Sequence, residues 1–267
     1  MLLKNKNCSN CGRYYDPTLK QCPTCHKRDE LYEQRGIPSY IAFFHPIAQI
    51  GLFVCGFAYI GMLISEIIAA VFLNSLPKGD FKNIMILTVT YLLMFVGLLS
   101  IAFLTRRNDF LKKFERPSSF LIGLAFAGLV VVSSSIVATI VEQFYATQVN
   151  VNQEAAIQMS LNYPILSGII LCLIGPICEE MTYRVGLYSF FRRINIVLAM
   201  IVTTVVFAFI HFDFTAEDIV NELWNLPAYI VSGLVLTIAY EVRGPACSMT
   251  AHIIYNTFAF AMIFIRK

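Results

Sequence analysis

The stretch LNYPILSGIILCLIGPICEEMTYRVGLYSFF, residues 161–191, decides how the rest of the chain is read. As far as Cys178 it carries no charge; then Glu179, Glu180 and Arg184 arrive while the apolar character continues. A bilayer is crossed by about 20 largely apolar residues in a helix. Charges inside such a run are costly and mark function rather than filling. Gly175-Pro176 sits mid-run, so the stretch reads as one long span or as two divided at the proline.

The sequence on either side is of the same kind. Ile47–Leu73, Ile84–Leu104, Phe120–Val141, Ile194–His211, Leu226–Tyr240 and Ala246–Ile265 are all predominantly apolar. The expectation is therefore seven spans, or eight if the fourth divides. Of 267 residues, 57% are hydrophobic and 14% charged, and the mean hydropathy is +0.67. Soluble domains carry about 25% charged residues. Lipid admits only helices or closed barrels, and these runs are too long for barrel strands. The fold class predicted is all-α, a polytopic transmembrane helix bundle. A net charge of +3 does not suggest a nucleic-acid partner.

Positive charge sets the expected orientation. Thr105–Arg116 carries Arg106, Arg107, Lys112, Lys113 and Arg116, and Arg192-Arg193 follows the fourth run, whereas Glu142–Tyr163 has no Lys or Arg. The N-terminus turns polar at once and lacks the apolar core of about 7–15 residues that a signal peptide needs. An integral protein of a bacterial cell membrane with a cytoplasmic N-terminus is expected. The acidic stretch Asp213–Glu222 then lies outside, with Trp224 and Tyr229 in an interfacial belt, and Arg266-Lys267 sits awkwardly on a seven-span count.

The polar start has its own signature. Cys8-x-x-Cys11 and Cys22-x-x-Cys25 place four thiolates as Zn²⁺ prefers them. The domain plan is a four-cysteine zinc ribbon over residues 1–30, a linker over 31–45 and the membrane domain over 46–267. His26 is not needed as a ligand, since four cysteines complete the shell. A pair of disulfides is the rival, disfavoured in the cytosol. Cys55, Cys172, Cys178 and Cys247 read as small buried hydrophobes, and Glu66 and His45 as isolated structural or interfacial residues.

Three apolar runs carry polar residues at helical spacing. Glu180 and Arg184 are i,i+4 and can pair, leaving Glu179, about 100° round the helix, to face a cavity. His211 ends the fifth run, and His252 and Asn256 are i,i+4 on the last. A carboxylate beside an imidazole can deprotonate water, and a second imidazole with an amide can stabilise an oxyanion. A Glu–Arg pair can equally be packing glue, and a helix-end histidine can be merely interfacial.

The pattern Glu179-Glu180-x-x-x-Arg184, Phe207-x-x-x-His211, His252-x-x-x-Asn256 resembles the CAAX protease and bacteriocin-processing family of intramembrane proteases. The resemblance covers about residues 160–260. It departs at Tyr183-Arg184-Val185-Gly186, where bacterial members often read Phe-Arg-Gly. It implies an endopeptidase acting on a peptide or protein in or near lipid, with Glu179 and His211 activating water and His252 and Asn256 stabilising the oxyanion. A catalytic metal stays open: Glu179, His211 and His252 could hold Zn²⁺, although a metal-independent, glutamate-type mechanism is favoured because Glu180 is expected to pair with Arg184. A non-proteolytic membrane scaffold and a proton-coupled transporter are the rival classes.

Overall fold

The computed structural model describes residues 6–8, 10–16, 19–27, 38, 40–42, 44–56 and 58–265. Most of the expected linker and Arg266-Lys267 lie outside the described residues.

The N-terminal module is a two-stranded antiparallel hairpin, β1 (Lys6–Asn7) against β2 (Tyr14–Tyr15). The two cysteine knuckles share one construction. Gly12 and His26, each following the second cysteine, donate their N–H back to the carbonyls of Cys8 and Cys22 at 2.9 Å. Both have positive φ, 70° and 57°. Glycine takes that conformation freely, whereas His26 holds it as a side-chain-bearing residue. Lys20 Nζ donates to the carbonyls of Ile41 (2.8 Å) and Pro38 (3.3 Å), fastening the hairpin to the start of the bundle.

The remainder is helical, and all seven expected apolar runs are helices. The first is bent by 61° between α1 (Pro46–Gly56) and the helix that continues as α2 (Leu63–Phe72). Then follow α3 (Asp80–Lys112), α4 (Pro117–Glu142), α5 (Val151–Asn162), α6 (Pro164–Phe191), α7 (Ile196–Phe209), α8 (Ile219–Arg243) and α9 (Pro245–Ile265). Five of them are long and apolar enough to cross a membrane, six if the bent pair is one span. α7 has 14 residues, about 21 Å at 1.5 Å per residue, short of the roughly 30 Å core.

α6 stays a single helix of 28 residues, so no eighth span arises at Gly175-Pro176. The reason is local. π-helical turns at Ile170–Ile174 and Glu180–Tyr188 lie on either side of the proline. A π turn shifts the carbonyl register and accommodates a ring that would break a regular α-helix. A further difference is α5, which occupies a stretch expected only as an external loop. Its polar residues hide it from an apolar scan, but Asn150 caps it, accepting from Gln153 N at 2.8 Å. Asn-x-x-Gln is the spacing of a capping box.

Small residues let the helices meet closely. A Cβ on Gly56 would overlap Thr182 Oγ1, and one on Gly123 would lie 2.7 Å from the Cys247 carbonyl. Such contacts bring α1 onto α6 and α4 onto α9, as packing in lipid favours. The two ends of the bundle differ in charge. At one end Arg192 pairs with Glu241 (2.8 Å), Arg193 donates to Gln49 and to the Phe44 carbonyl, and Phe44 meets Phe110. At the other, Gln148, Asn152 and Asn225 tie the start of α5 to His211 and α8.

Candidate active site

The site begins on α6, where the wide turn from Glu180 to Tyr188 carries fully buried side chains all round. Glu180 is among them and accepts from Arg184 Nη1 at 2.8 Å. Arg184 Nη2 donates to the Gly233 carbonyl on α8 at 3.0 Å, and its guanidinium lies 4.3 Å over the Phe207 ring on α7. A cation with no exposed surface is thus met by a carboxylate, a carbonyl and an aromatic face. The Glu180–Arg184 pair expected from i,i+4 spacing is present.

The partnership goes further than the spacing indicates. Glu180 Oε1 also lies 3.0 Å from His252 Nδ1, and His252 Nε2 lies 3.8 Å from Glu179 Oε2. The imidazole of α9 therefore sits between the two carboxylates of α6. Their roles separate by exposure: the Glu180 side chain is 0% exposed and the Glu179 side chain 22%. Of the two, only Glu179 has exposed surface.

His211 lies beyond the last residue of α7, in a turn. Its Nδ1 is 2.9 Å from the Phe207 carbonyl, and its ring stacks on Tyr229 of α8 at 4.5 Å. A carbonyl can only accept, so Nδ1 carries the proton and Nε2 keeps a lone pair. Phe207 joins the two imidazoles, with ring centroids 5.1 Å from His211 and 6.0 Å from His252. Asn256 points its amide nitrogen at the Leu171 carbonyl, 2.9 Å away, tying α9 to the π turn before Glu179.

Several contributors are not apparent from motif spacing. Tyr229, expected in an interfacial belt, is turned inward against His211, while Trp224 stacks on Tyr145 at 5.8 Å. Asn150 and the Tyr229 hydroxyl hydrogen-bond at 3.1 Å. Glu222, expected in an external acidic stretch, is buried at 2% exposure. Phe207 had a visible signal, since it shares the i,i+4 face with His211; the Gly233 carbonyl had none. Cys178 is fully buried in the main core among apolar side chains.

A second centre lies in the hairpin. The four sulfurs of Cys8, Cys11, Cys22 and Cys25 lie within 4.8 Å of one another, and the cysteines are free thiols. Tetrahedral Zn–S bonds of about 2.3 Å put ligand sulfurs roughly 3.8 Å apart, so the four could hold a metal ion. The four thiols do not share one protonation behaviour. A hydrogen bond from the Asn10 side chain holds the Cys25 thiol well below its ordinary value, at about 6. The Arg13 N–H pulls Cys11 down too, but desolvation and three neighbouring sulfurs prevail and push it up to about 12. Four adjacent thiolates need a cation. Among the described residues this is the one group of three or more His, Cys, Asp or Glu side chains placed to share an ion. The ligand atoms of Glu179, His211 and His252 do not gather in that way.

Comparison with known proteins agrees with the site's location. Residues 161–258 match the family described as type II CAAX prenyl endopeptidase Rce1-like. The chain is similar to UPF0177 protein YvdC of Lactococcus lactis subsp. lactis (strain IL1403), at 25% identity over 186 residues, 67% of each chain. No solved structure matches it significantly. The protein is an integral membrane helix bundle, and its residues 161–258, which hold Glu179, Glu180, Arg184, His211, His252 and Asn256, match the Rce1-like family of type II CAAX prenyl endopeptidases.

Proposed function

We propose that the protein is an intramembrane endopeptidase that hydrolyses a peptide bond in a membrane-associated protein or peptide, with Glu179 and His211 activating the water. The observation that carries this reading is the division between the adjacent carboxylates: Glu180 is locked to Arg184 and His252, and Glu179 is the one with exposed surface. Glu179 and the Nε2 lone pair of His211 are both acceptors, suited to the two hydrogens of one water. The water oxygen attacks the scissile carbonyl, a C–O bond forms, and Glu179 takes the proton. When the C–N bond breaks, that proton passes to the leaving amine.

His252 and Asn256 serve the oxyanion in this scheme. Glu180 occupies Nδ1, so His252 donates from Nε2 in its protonated form. Protonated His252 and Arg184 then balance Glu179 and Glu180, so the ionised set is neutral overall, as a low-dielectric interior requires. The scheme routes no step through a metal.

The hairpin cysteines are assigned structural Zn²⁺ as a ribbon over residues 1–30, joined through 31–45 to the membrane domain from 46 onward. Such an ion would supply folding energy to a module too small for a core of its own. Lipid is the surrounding partner. Positive-inside bias favours placing the Arg192–Arg193 end and the ribbon in the cytoplasm of a bacterial cell.

The test uses purified full-length protein in lipid nanodiscs against a library of membrane-anchored peptides. Wild type cleaves, while Glu179→Gln and His211→Ala retain the wild-type melting temperature and cleave at least 100-fold more slowly, an order of magnitude set by loss of general-base catalysis, roughly 10²–10⁴. Absence of cleavage by wild type, or equal cleavage by the variants, moves the assignment to a non-proteolytic scaffold.

A further inference from the structure

His211 stands in a turn past the end of α7, so α7 alone does not fix it. A base must be held to a fraction of an ångström to work, and the fastening comes from α8. Glu222, in the first turn of α8, uses its two carboxylate oxygens separately. Oε1 accepts from the N–H of Val151 at 3.1 Å and Oε2 from the N–H of Asp213 at 3.3 Å. One buried side chain thus joins the entry of α5, the turn bearing His211, and α8. Around it, Asn152 Nδ2 donates to the His211 carbonyl at 2.7 Å, and buried Asn150 meets Tyr229, the residue stacked on the imidazole.

We infer that Glu222 is a positioning residue for the water-activating His211, clamping the 211–213 turn and the start of α5 onto α8. This rests on the endopeptidase reading. A carboxylate suits the task because it offers two acceptors and no donor. Its place at a helix N-terminus favours negative charge. Val151 is 71 residues from Glu222 in sequence, so the link to α5 exists only in the folded chain.

Two measurements on the full-length protein in nanodiscs test it. The first is amide hydrogen exchange. In Glu222→Ala the Val151 and Asp213 amides lose protection while the centres of α6 and α9 keep theirs, and Glu222→Gln, which retains one acceptor oxygen, lies between. The second is a double-mutant cycle on cleavage. Glu222→Ala lowers kcat on the order of 10- to 100-fold with KM little changed, and has no further effect in a His211→Ala background. Additive losses in the cycle, a change confined to KM, or unchanged exchange at both amides overturn the proposal. If wild type cleaves nothing, the endopeptidase reading falls and the catalytic role of Glu222 with it. Deprotection of the two amides would then mark a structural clamp alone. Global loss of protection in Glu222→Ala is resolved by Glu222→Gln, for which unchanged exchange and rate also count against the proposal.

Discussion

Arg184 shows what one side chain contributes at the centre of a membrane bundle. Its charge is fully buried and answered in three directions, by Glu180, by the Gly233 carbonyl and by the Phe207 face. Lysine keeps the charge but is a compact point donor without the planar fork. Arg184→Lys is expected to lose about 2–4 kcal/mol of stability, because a buried carboxylate would be left imperfectly paired; unfolding in mixed micelles measures this. The sequence made the Glu180–Arg184 pair legible through i,i+4 spacing. It did not reveal that His252 meets the same Glu180 oxygen as Arg184, since that contact joins residues 72 apart. Asp213 offers a residue-scale titration. Hydrogen bonds from the Thr215 hydroxyl (2.7 Å) and N–H (2.8 Å) hold its carboxyl below the ordinary value. A lowered carboxyl stabilises the turn above its unfolded value, about 3.9, and that stability is lost as pH falls through the folded value. In Thr215→Val the loss begins at higher pH. Exchange of the 213–216 amides, corrected for intrinsic rate, follows it across about pH 3–7.

At the scale of elements, the junction between α8 and α9 is the sharpest instance of local sequence setting geometry. Gly244 ends α8 with φ of 76°, donating its N–H to the Tyr240 carbonyl at 2.7 Å, and Pro245 starts α9 at once. Gly-Pro is a readable break. What the sequence does not tell is that a Cβ there would overlap the Tyr40 carbonyl oxygen. Gly244→Ala therefore meets both an unfavourable φ and a backbone atom that has little room to move. The expected cost is about 2 kcal/mol or more, seen as a lower melting temperature, with cleavage falling too because α9 carries His252. Elsewhere the apolar runs located seven helical regions well, since lipid exposure demands continuous apolar surface. They left Pro176 open, where π turns absorb the proline, and they missed α5, which is polar and legible only through its cap.

For the whole molecule, the metal module and the helix bundle are physically separable contributions. The hairpin has a tiny core around Cys8, Tyr15 and Cys22, so under the proposed zinc assignment its order would come from an ion held by the four cysteines. The bundle has extensive apolar cores of its own. On the proposed zinc assignment, Cys8→Ser with Cys11→Ser is expected to remove one zinc per chain by elemental analysis and to leave the melting of the bundle within a few degrees. A fall in cleavage with the bundle intact would trace to the Lys20 link onto Ile41 and Pro38. A collapse of the bundle melt would contradict the separation.

Sequence alone determined the membrane character, the helical class and the cysteine module, because each follows from composition or short-range spacing. A bilayer rejects charge over about 20 residues, and a metal knuckle needs two cysteines three positions apart. It also supplied the names of the polar residues on α6, on α9 and in the turn after α7. Only the tertiary structure decided which carboxylate is locked and which is open, that Phe207 packs near both imidazoles, that Tyr229 stacks on His211, and that Glu222 is buried against Val151 and Asp213. Adjacent glutamates are equivalent in a one-dimensional reading; packing against Arg184 and His252 makes them different. Burial is a property of neighbours distant in the chain, and no periodicity within one helix records it.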